Sequence, residues 1–515
     1  MPDASGERDQ AAIVEAFESG AAIGSAHPLT RIDTHMSYVF LGPKRAYKLK
    51  RVRRHPFADM SSLEARRCAC ESELAVNRAL APTLYEAVLP VIRGPDGAIE
   101  VEGPGEPIDW VVVMRRFADG ALLSERAATG LLTPGAVVQA VDAVADFHRA
   151  LKPHFDAGYS VDYRRIADGL RRTEAEGAAA LGLAPASEAL FSAIEREIGR
   201  LSPLIEARRR DGWVRRGHGD LHLGNICVHE GRVTPFDALE FDPALATADV
   251  VYDIAFLLMD LRARGLDGLA NVAMNHYWDV SAQPEEALAL LPLFTALRAA
   301  VRMAVSVEAA DLVQAERYRT LGLALLDQKA PQLVAVGGLS GTGKSTVAKA
   351  LAPDLPGACG GRLLRTDVIR KQLAGLRPTD RLAAAAHEPA GRAAVSRVLA
   401  QRAWRALEAG CSVVADATFR EAAARAAIEA AVRAGPFTGL WLRTGPEVRI
   451  ARIARRHEDA SDVTLEGALA QTEPGDLGPR WRVLDAGVPV GAAVQAALEA
   501  VTESLQARGP QVSIT

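Results

Sequence analysis

The stretch that most restricts the fold is "GLSGTGKST", residues 338–346. Gly338, Gly343, Lys344 and Ser345 fit G-x-x-x-x-G-K-[ST], with Ser340, Gly341 and Thr342 between them and Thr346 behind. The apolar run "QLVAVGG" precedes it and a helical pattern starts near Lys344. Glycines let backbone N–H groups curl around phosphate oxygens, and the helix N-terminus adds its positive dipole end. Lys344 reaches the β- and γ-phosphates and Ser345 can ligate Mg²⁺. Such a loop belongs where a strand hands over to a helix. Further strands are expected at 361–367 ("GRLLRTD"), 411–418 ("CSVVADAT") and 437–443 ("FTGLWLR"), with helices between. This alternation predicts an α/β domain with a parallel sheet.

Three further segments of this half carry charge where phosphoryl transfer needs it. Asp416 ends an apolar strand, where a carboxylate orients Mg²⁺ or its water, although a strand-end Asp can also cap a turn. Asp367 can accept the proton of an attacking hydroxyl, and Arg370 can hold an anionic group; a helix N-cap is the rival reading of Asp367. Arg449, Arg452, Arg455 and Arg456 recur at helical spacing, as a lid over the transferring group or as a solvated basic face.

The chain has 515 residues, too many for one core. The character switches at residues 329–331, "KAP", so the expected domains are 1–329 and 330–515. The net charge of −4 argues against nucleic acid as the partner. Five scattered cysteines imply no disulfide framework, and Cys68-x-Cys70 is too tight for a zinc knuckle. The N-terminus "MPDASGERDQ" lacks the pattern of a signal peptide. The apolar run from 287 carries Pro292, Arg298 and Arg302 and reads as buried helix, not a membrane span. A cytoplasmic protein is expected, with a loose C-terminal "QVSIT".

A second motif lies upstream. "HGDLHLGN", residues 218–225, places Asn225 five residues after Asp220, and Asp237 follows in "FDALEF". His218, Asp220 and His222 could be read as zinc ligands, or the stretch as a packed turn. The spacing is also similar to the catalytic arrangement of protein-kinase-like folds. There Asp220 orients the acceptor hydroxyl, Asn225 and Asp237 hold Mg²⁺, and His218 braces the loop. Upstream, "DTHMSYVFLGPKRAYKLK" (33–50) reads as two strands about Gly42-Pro43, with Ala46 and Lys48 on one strand face. A helix from Ser61 to Leu80, capped by Ser62 and stopped by Pro82, offers Glu73, or Glu71 in reserve, to pin Lys48. "WVVVMRRF" (110–117) reads as a buried strand and hinge, with Met114 to Phe117, Arg115 included, at the adenine. Residues 133–328 read as mostly helical.

On these motifs residues 30–325 resemble the aminoglycoside phosphotransferase family, whose HGDxHxGN signature is matched, with choline and fructosamine kinases as relatives. "DFHR" (146–149) and "ADVVYDIAFLL" (248–258) are similar to its lobe-packing segments, which makes His148, Asp249 and Asp253 structural. One departure is the lack of a glycine-rich loop near "DTHMSYVF". Residues 331–505 resemble small P-loop kinases of the gluconate kinase, polynucleotide kinase and zeta-toxin type. The two resemblances imply a two-lobed α+β protein-kinase-like domain followed by an α/β P-loop domain. The expected function is a bifunctional, Mg²⁺-assisted kinase that moves the γ-phosphoryl of ATP, with GTP as the other donor, to a small-molecule hydroxyl on a sugar-like or amino-sugar-like metabolite. The alternatives are one catalytic half with a nucleotide-sensing partner half, or a P-loop half acting on a nucleotide sugar or a nucleic-acid end.

Overall fold

The computed structural model describes residues 4–506 apart from 35, 56–57, 241–242, 378–379, 381–388, 434 and 455–464. The chain divides into two compact units, Met1–Tyr159 with Ile205–Leu257, and Ser160–Leu204 with Leu258–Thr515.

In the first unit, β1 (Thr30–Asp33), β2 (Ser37–Leu41), β3 (Arg45–Lys50), β6 (Tyr85–Arg93), β7 (Ile99–Val101) and β8 (Pro107–Arg115) form one antiparallel sheet of order β1-β2-β3-β8-β6-β7. A two-stranded ladder, β4 (Arg54–His55) with β5 (Ala58–Asp59), stands apart from it. Both faces of the large sheet are covered, which explains why "WVVVM" is continuously apolar. Val111 and Val113 pack with Ile13 and Phe17 of the N-terminal helix Ala4–Glu18. Val112 and Met114 face Cys70 of the helix Leu63–Leu80. That helix begins as its sequence demands, the Ser62 side chain accepting the Ala65 N–H. β1, the β4–β5 ladder, β6, β7 and the N-terminal helix go beyond the sequence reading. At the end of β1, Thr34 and Ser37 hydrogen-bond to each other across the β1–β2 connection. The motif 218–225 is set among β9 (Val214–Arg216), β10 (Ile226–His229), β11 (Arg232–Pro235) and β12 (Thr247–Asp249), which pair as β9–β12 and β10–β11.

In the second unit, β13 (Leu333–Gly338), β14 (Arg362–Arg365), β15 (Val413–Asp416), β16 (Phe437–Arg443) and β17 (Trp481–Asp485) form a wholly parallel sheet of order β14-β15-β13-β16-β17. With β13 central, the loop after it opens at the switch point where parallel sheets bind ligands. Helices Lys344–Leu351 and Val490–Gln506 bury Val347, Leu351, Ala497 and Val501 against Val334, Val414 and Leu440. The strand expected over 361–367 stops at Arg365: Thr366 and Asp367 already belong to the helix Thr366–Leu373. β17 adds a fifth strand to the expected four. The apolar segment Glu285–Glu308 is long enough to cross a membrane and is 72% buried here.

β14 is an edge strand, and an open edge invites pairing with other chains. The helix Asp267–Val280 closes this one with side chains. Asn271 donates to the carbonyls of Cys359 (2.7 Å) and Gly361 (2.9 Å), and the Asn275 carbonyl oxygen accepts the Leu363 N–H (2.7 Å). Arg362, fully buried, meets Asp279 at 2.7 Å, Glu285 at 3.2 Å and Asn275 at 3.0 Å. Arg402 also reaches Glu285, at 2.6 Å. Burial disfavours the Arg362 charge, but Asp279 and Glu285 outweigh it and raise its pKa. Replacing Arg362 by methionine strands Asp279, leaves Glu285 to Arg402 alone and is expected to cost about 3–5 kcal/mol. Breaking the half-exposed Arg405–Glu286 pair (3.3 Å) by Arg405→Met should cost under about 1 kcal/mol. Equilibrium denaturation of the two variants beside the parent checks the contrast.

Candidate active sites

In the upstream site the loop 218–225 is fixed from behind by one carboxylate. Asp253 accepts the N–H groups of His218 (2.7 Å) and Gly219 (2.8 Å) and lies 2.9 Å from Nε2 of His148. Gly217 is required here, because a Cβ would stand 2.5 Å from Asp253 Oδ2. Asp249 is gripped by both arms of Arg208, at 2.6 and 2.8 Å. His148, Asp249 and Asp253 thus sit in bracing positions, buried and turned into the protein.

His218 is buried with both ring nitrogens engaged: Nε2 with the Phe236 carbonyl at 2.9 Å, Nδ1 accepting the Asp220 N–H at 3.3 Å. Burial lowers its pKa, which suits a neutral ring. A ring so occupied has no lone pair for zinc, and His222 uses Nδ1 to accept the Gly224 N–H at 3.1 Å. Among the described residues no His/Cys/Asp/Glu group has metal-site geometry. The Asp220 side chain is partly exposed, 3.0 Å from the Asn225 amide, which donates to it and to the Asp220 carbonyl. This puts the partly exposed Asp220 beside the buried Asn225.

The Phe236 bond carries order onward to Asp237. Asp237 takes a left-handed φ of 62°, with its N–H on the Tyr85 hydroxyl (3.2 Å) and the next N–H on Asn77 Oδ1 (2.8 Å). Its carboxylate pairs with Lys48, and Lys48 also meets Glu73 at 2.9 Å. Of the two candidate glutamates on this helix, Glu73 lies on the buried face; Glu71 is exposed on the other and pairs with Arg67. Burial opposes the Glu73 charge, but Lys48 and Lys50 outweigh it and hold its pKa at about 2. Met114 is buried opposite Ala46 in the β3–β8 register, while Arg115 points outward to Glu86 and Glu230.

In the downstream site Gly338, Gly341 and Gly343 have φ of 138°, 87° and 95°. A Cβ on Gly338 would meet the Leu442 carbonyl at 2.6 Å, and one on Gly341 the Arg449 carbonyl at 2.8 Å. Thr342 Oγ1 and Lys344 Nζ both donate to the Leu339 carbonyl at 2.9 Å, and Thr346 N–H caps back to Gly343. Ser340 is bonded to Gln471 at 2.8 and 2.9 Å. Ser345 donates to Asp416 at 2.6 Å at the end of β15. Asp367 pairs with Arg370 at 2.9 Å. Asp367 is the second residue of its helix, not the N-cap, a position held by Arg365. Arg449 is buried and donates to the Ser340 and Ala468 carbonyls, and Arg452 donates to that of Thr342 at 3.1 Å. Arg455 and Arg456 lie outside the described residues, as does "QVSIT".

Sequence reasoning missed Arg365. It is buried at the end of β14, 3.4 Å from Asp416 and 3.3 Å from Ser345. Its register partner on β15 is Asp416 itself. An arginine closing an apolar strand was the available signal.

Residues 51–291 match the phosphotransferase enzyme family, and residues 333–473 match an AAA domain family. The chain is a kinase in which a phosphotransferase-family domain precedes a P-loop domain. The uncharacterized protein Rv2004c of Mycobacterium tuberculosis is 29% identical over 474 residues, covering 86% of this chain and 91% of that one. A gluconokinase from Sinorhizobium meliloti is 23% identical, covering 35% of this chain and 99% of that one, with a TM-score of 0.26. A choline/ethanolamine kinase family protein from Mesorhizobium loti is 14% identical, covering 62% of this kinase and 95% of that chain, with a TM-score of 0.37.

The Glu73 pairs make stability pH-dependent. The folded-state pKa of about 2 lies below the ordinary 4.5, so between those values the unfolded kinase binds more protons. Stability should therefore be full above about pH 4.5 and fall as the pH drops toward 2. Glu73→Gln should flatten that fall, as read by melting temperature across acid buffers.

Proposed function

We propose that this kinase is bifunctional, with domains 1–329 and 330–515 each transferring the γ-phosphoryl group of ATP, or of GTP as the other donor, to a hydroxyl of a sugar-like or amino-sugar-like metabolite. The observation that carries the reading is that each half has its own phosphate-handling side chains in mutual contact: Lys48 with Glu73 and Asp237, and Ser345 with Asp416. The similarity to Rv2004c spans 86% of the chain, more than either half alone, which supports a joint role for the halves.

Upstream, Asp220 orients the acceptor hydroxyl and takes its proton at a carboxylate oxygen. Lys48 binds the α- and β-phosphates, and the strand end at Met114 and Arg115 meets the base. Downstream, Asp367 has the acceptor role, with Arg370 on an anionic group of the acceptor. Lys344 and the N–H groups of 338–346 hold the donor phosphates, and Arg452 and Arg455 close over them. Asn225 with Asp237, and Ser345 with Asp416, would hold Mg²⁺; both donor sets are hard oxygen atoms, which suits that ion. When bound, Mg²⁺ supplies positive charge against the phosphate oxygens. Positioning and charge stabilisation then lower the barrier without a covalent intermediate. A cytoplasmic setting supplies the donor nucleotide.

The test is Mg²⁺-dependent ADP release over a panel of sugars, amino sugars, polyols and aminoglycosides. Asp220→Ala should lower turnover of one set of acceptors by about 10²–10⁴-fold. Lys344→Ala should lower turnover of a different set by about 10²–10³-fold. Loss of every acceptor in one variant and of none in the other would leave a single catalytic half.

A further inference from the structure

Two buried charges at the upstream site have no part in the chemistry above: Lys50 and Glu240. Lys48 and Lys50 are two residues apart on β3, so their side chains leave the same face of the sheet. Leu49 between them is buried in the core on the opposite face. Two ammonium groups on one buried face repel unless anions separate them. Glu73 does this with one oxygen for each lysine: Oε1 lies 2.9 Å from Lys48 Nζ and Oε2 2.5 Å from Lys50 Nζ. Beyond the lysines stand two further carboxylates, Asp237 on Lys48 and Glu240 on Lys50. The result is a ladder of alternating sign, Asp237–Lys48–Glu73–Lys50–Glu240. Both its ends belong to one short loop. That loop is also tied to the helix Leu63–Leu80 by Ser72, which donates to the Glu240 carbonyl at 3.2 Å, and by Asn77.

We propose that Lys50, buried by virtue of its counter-ion Glu240, is a positioning residue for the nucleotide phosphates: it takes half of the Glu73 charge, so that Lys48 is aimed by Glu73 without being neutralised by it. This rests on the reading of Lys48 as the phosphate-binding lysine. With Lys50 removed, both oxygens of a buried carboxylate would be left to Lys48. Its ammonium would be held toward the helix, with less positive field for a phosphate. Removing Lys50 alone would also strand Glu240, so the informative change removes the pair together.

The experiment uses the full chain carrying Lys344→Ala, which disables the downstream phosphate lysine, with Lys50→Met/Glu240→Gln added. Lys50→Gln/Glu240→Gln, which keeps an N–H donor beside Glu73, takes its place if the methionine version does not fold. Lys48→Met defines the upstream signal. Calorimetric titration with Mg·AMP-PNP is expected to give a dissociation constant raised about tenfold in the double change, a loss of about 1.4 kcal/mol. Adenosine, which carries no phosphate, should bind parent and variant alike. Equal weakening of both ligands, or no weakening of Mg·AMP-PNP where Lys48→Met abolishes its binding, would make Lys50 and Glu240 merely structural and overturn the proposal. Failure of the Lys344→Ala parent to bind Mg·AMP-PNP at all would instead overturn the reading of the upstream site, and the proposal with it.

Discussion

The upstream site depends on the carboxylate of Asp253. Both of its oxygens are used, on two consecutive backbone N–H groups of the loop 218–225 and on His148. A buried carboxylate that accepts several N–H groups fixes their direction. The loop 218–225 is placed through this contact. The His218 backbone is held, so its ring reaches the Phe236 carbonyl, and the residue after Phe236 is Asp237. The left-handed backbone of Asp237 is a strained conformation for an Asp, and it persists because Tyr85 and Asn77 hold the N–H groups on either side of it. Asp220 can therefore stay partly exposed, since its position is set by buried neighbours and not by its own packing.

The parts of this arrangement that were legible in the sequence are those written over short distances. The Ser62 cap, the helix behind it and the choice of Glu73 over Glu71 follow from local periodicity. The strand–loop–helix at 333–351 follows from the glycine spacing. What stayed hidden depends on register between distant segments. Lys50 reads as one more basic residue until Glu240, 190 residues away, is brought against it. Arg365 gains its meaning only when β14 pairs with β15 so that it lies beside Asp416. The end of β14 was misjudged for a related reason. Thr366 and Asp367 continue an extended-looking run, but the helix Thr366–Leu373 has already begun. That start turns Asp367 toward Arg370 one helical turn later.

In the second unit the same logic governs an edge of the sheet. β14 has a neighbour on one side only, and its free carbonyl and N–H groups would be exposed without the amides of Asn271 and Asn275. These amides come from a helix within residues 51–291, which match the phosphotransferase family, whereas β14 lies in the P-loop match. The family boundary is thus not a packing boundary. Arg362, fully buried, is neutralised by Asp279 and Glu285 of the preceding family segment.

This cover bears on the chemistry because β14 leads straight into the helix that carries Asp367 and Arg370. Gln372 of that helix donates to the Asp279 carbonyl at 2.7 Å and accepts from Arg402, which also holds Glu285. The element that carries Asp367 and Arg370 is therefore bonded at both its strand and its helix to one platform. A displacement of the platform would have to break buried charged hydrogen bonds or carry Asp367 with it. Breaking them is costly, since each stranded ion would remain buried. The link thus joins the two family segments of this chain through buried charged contacts.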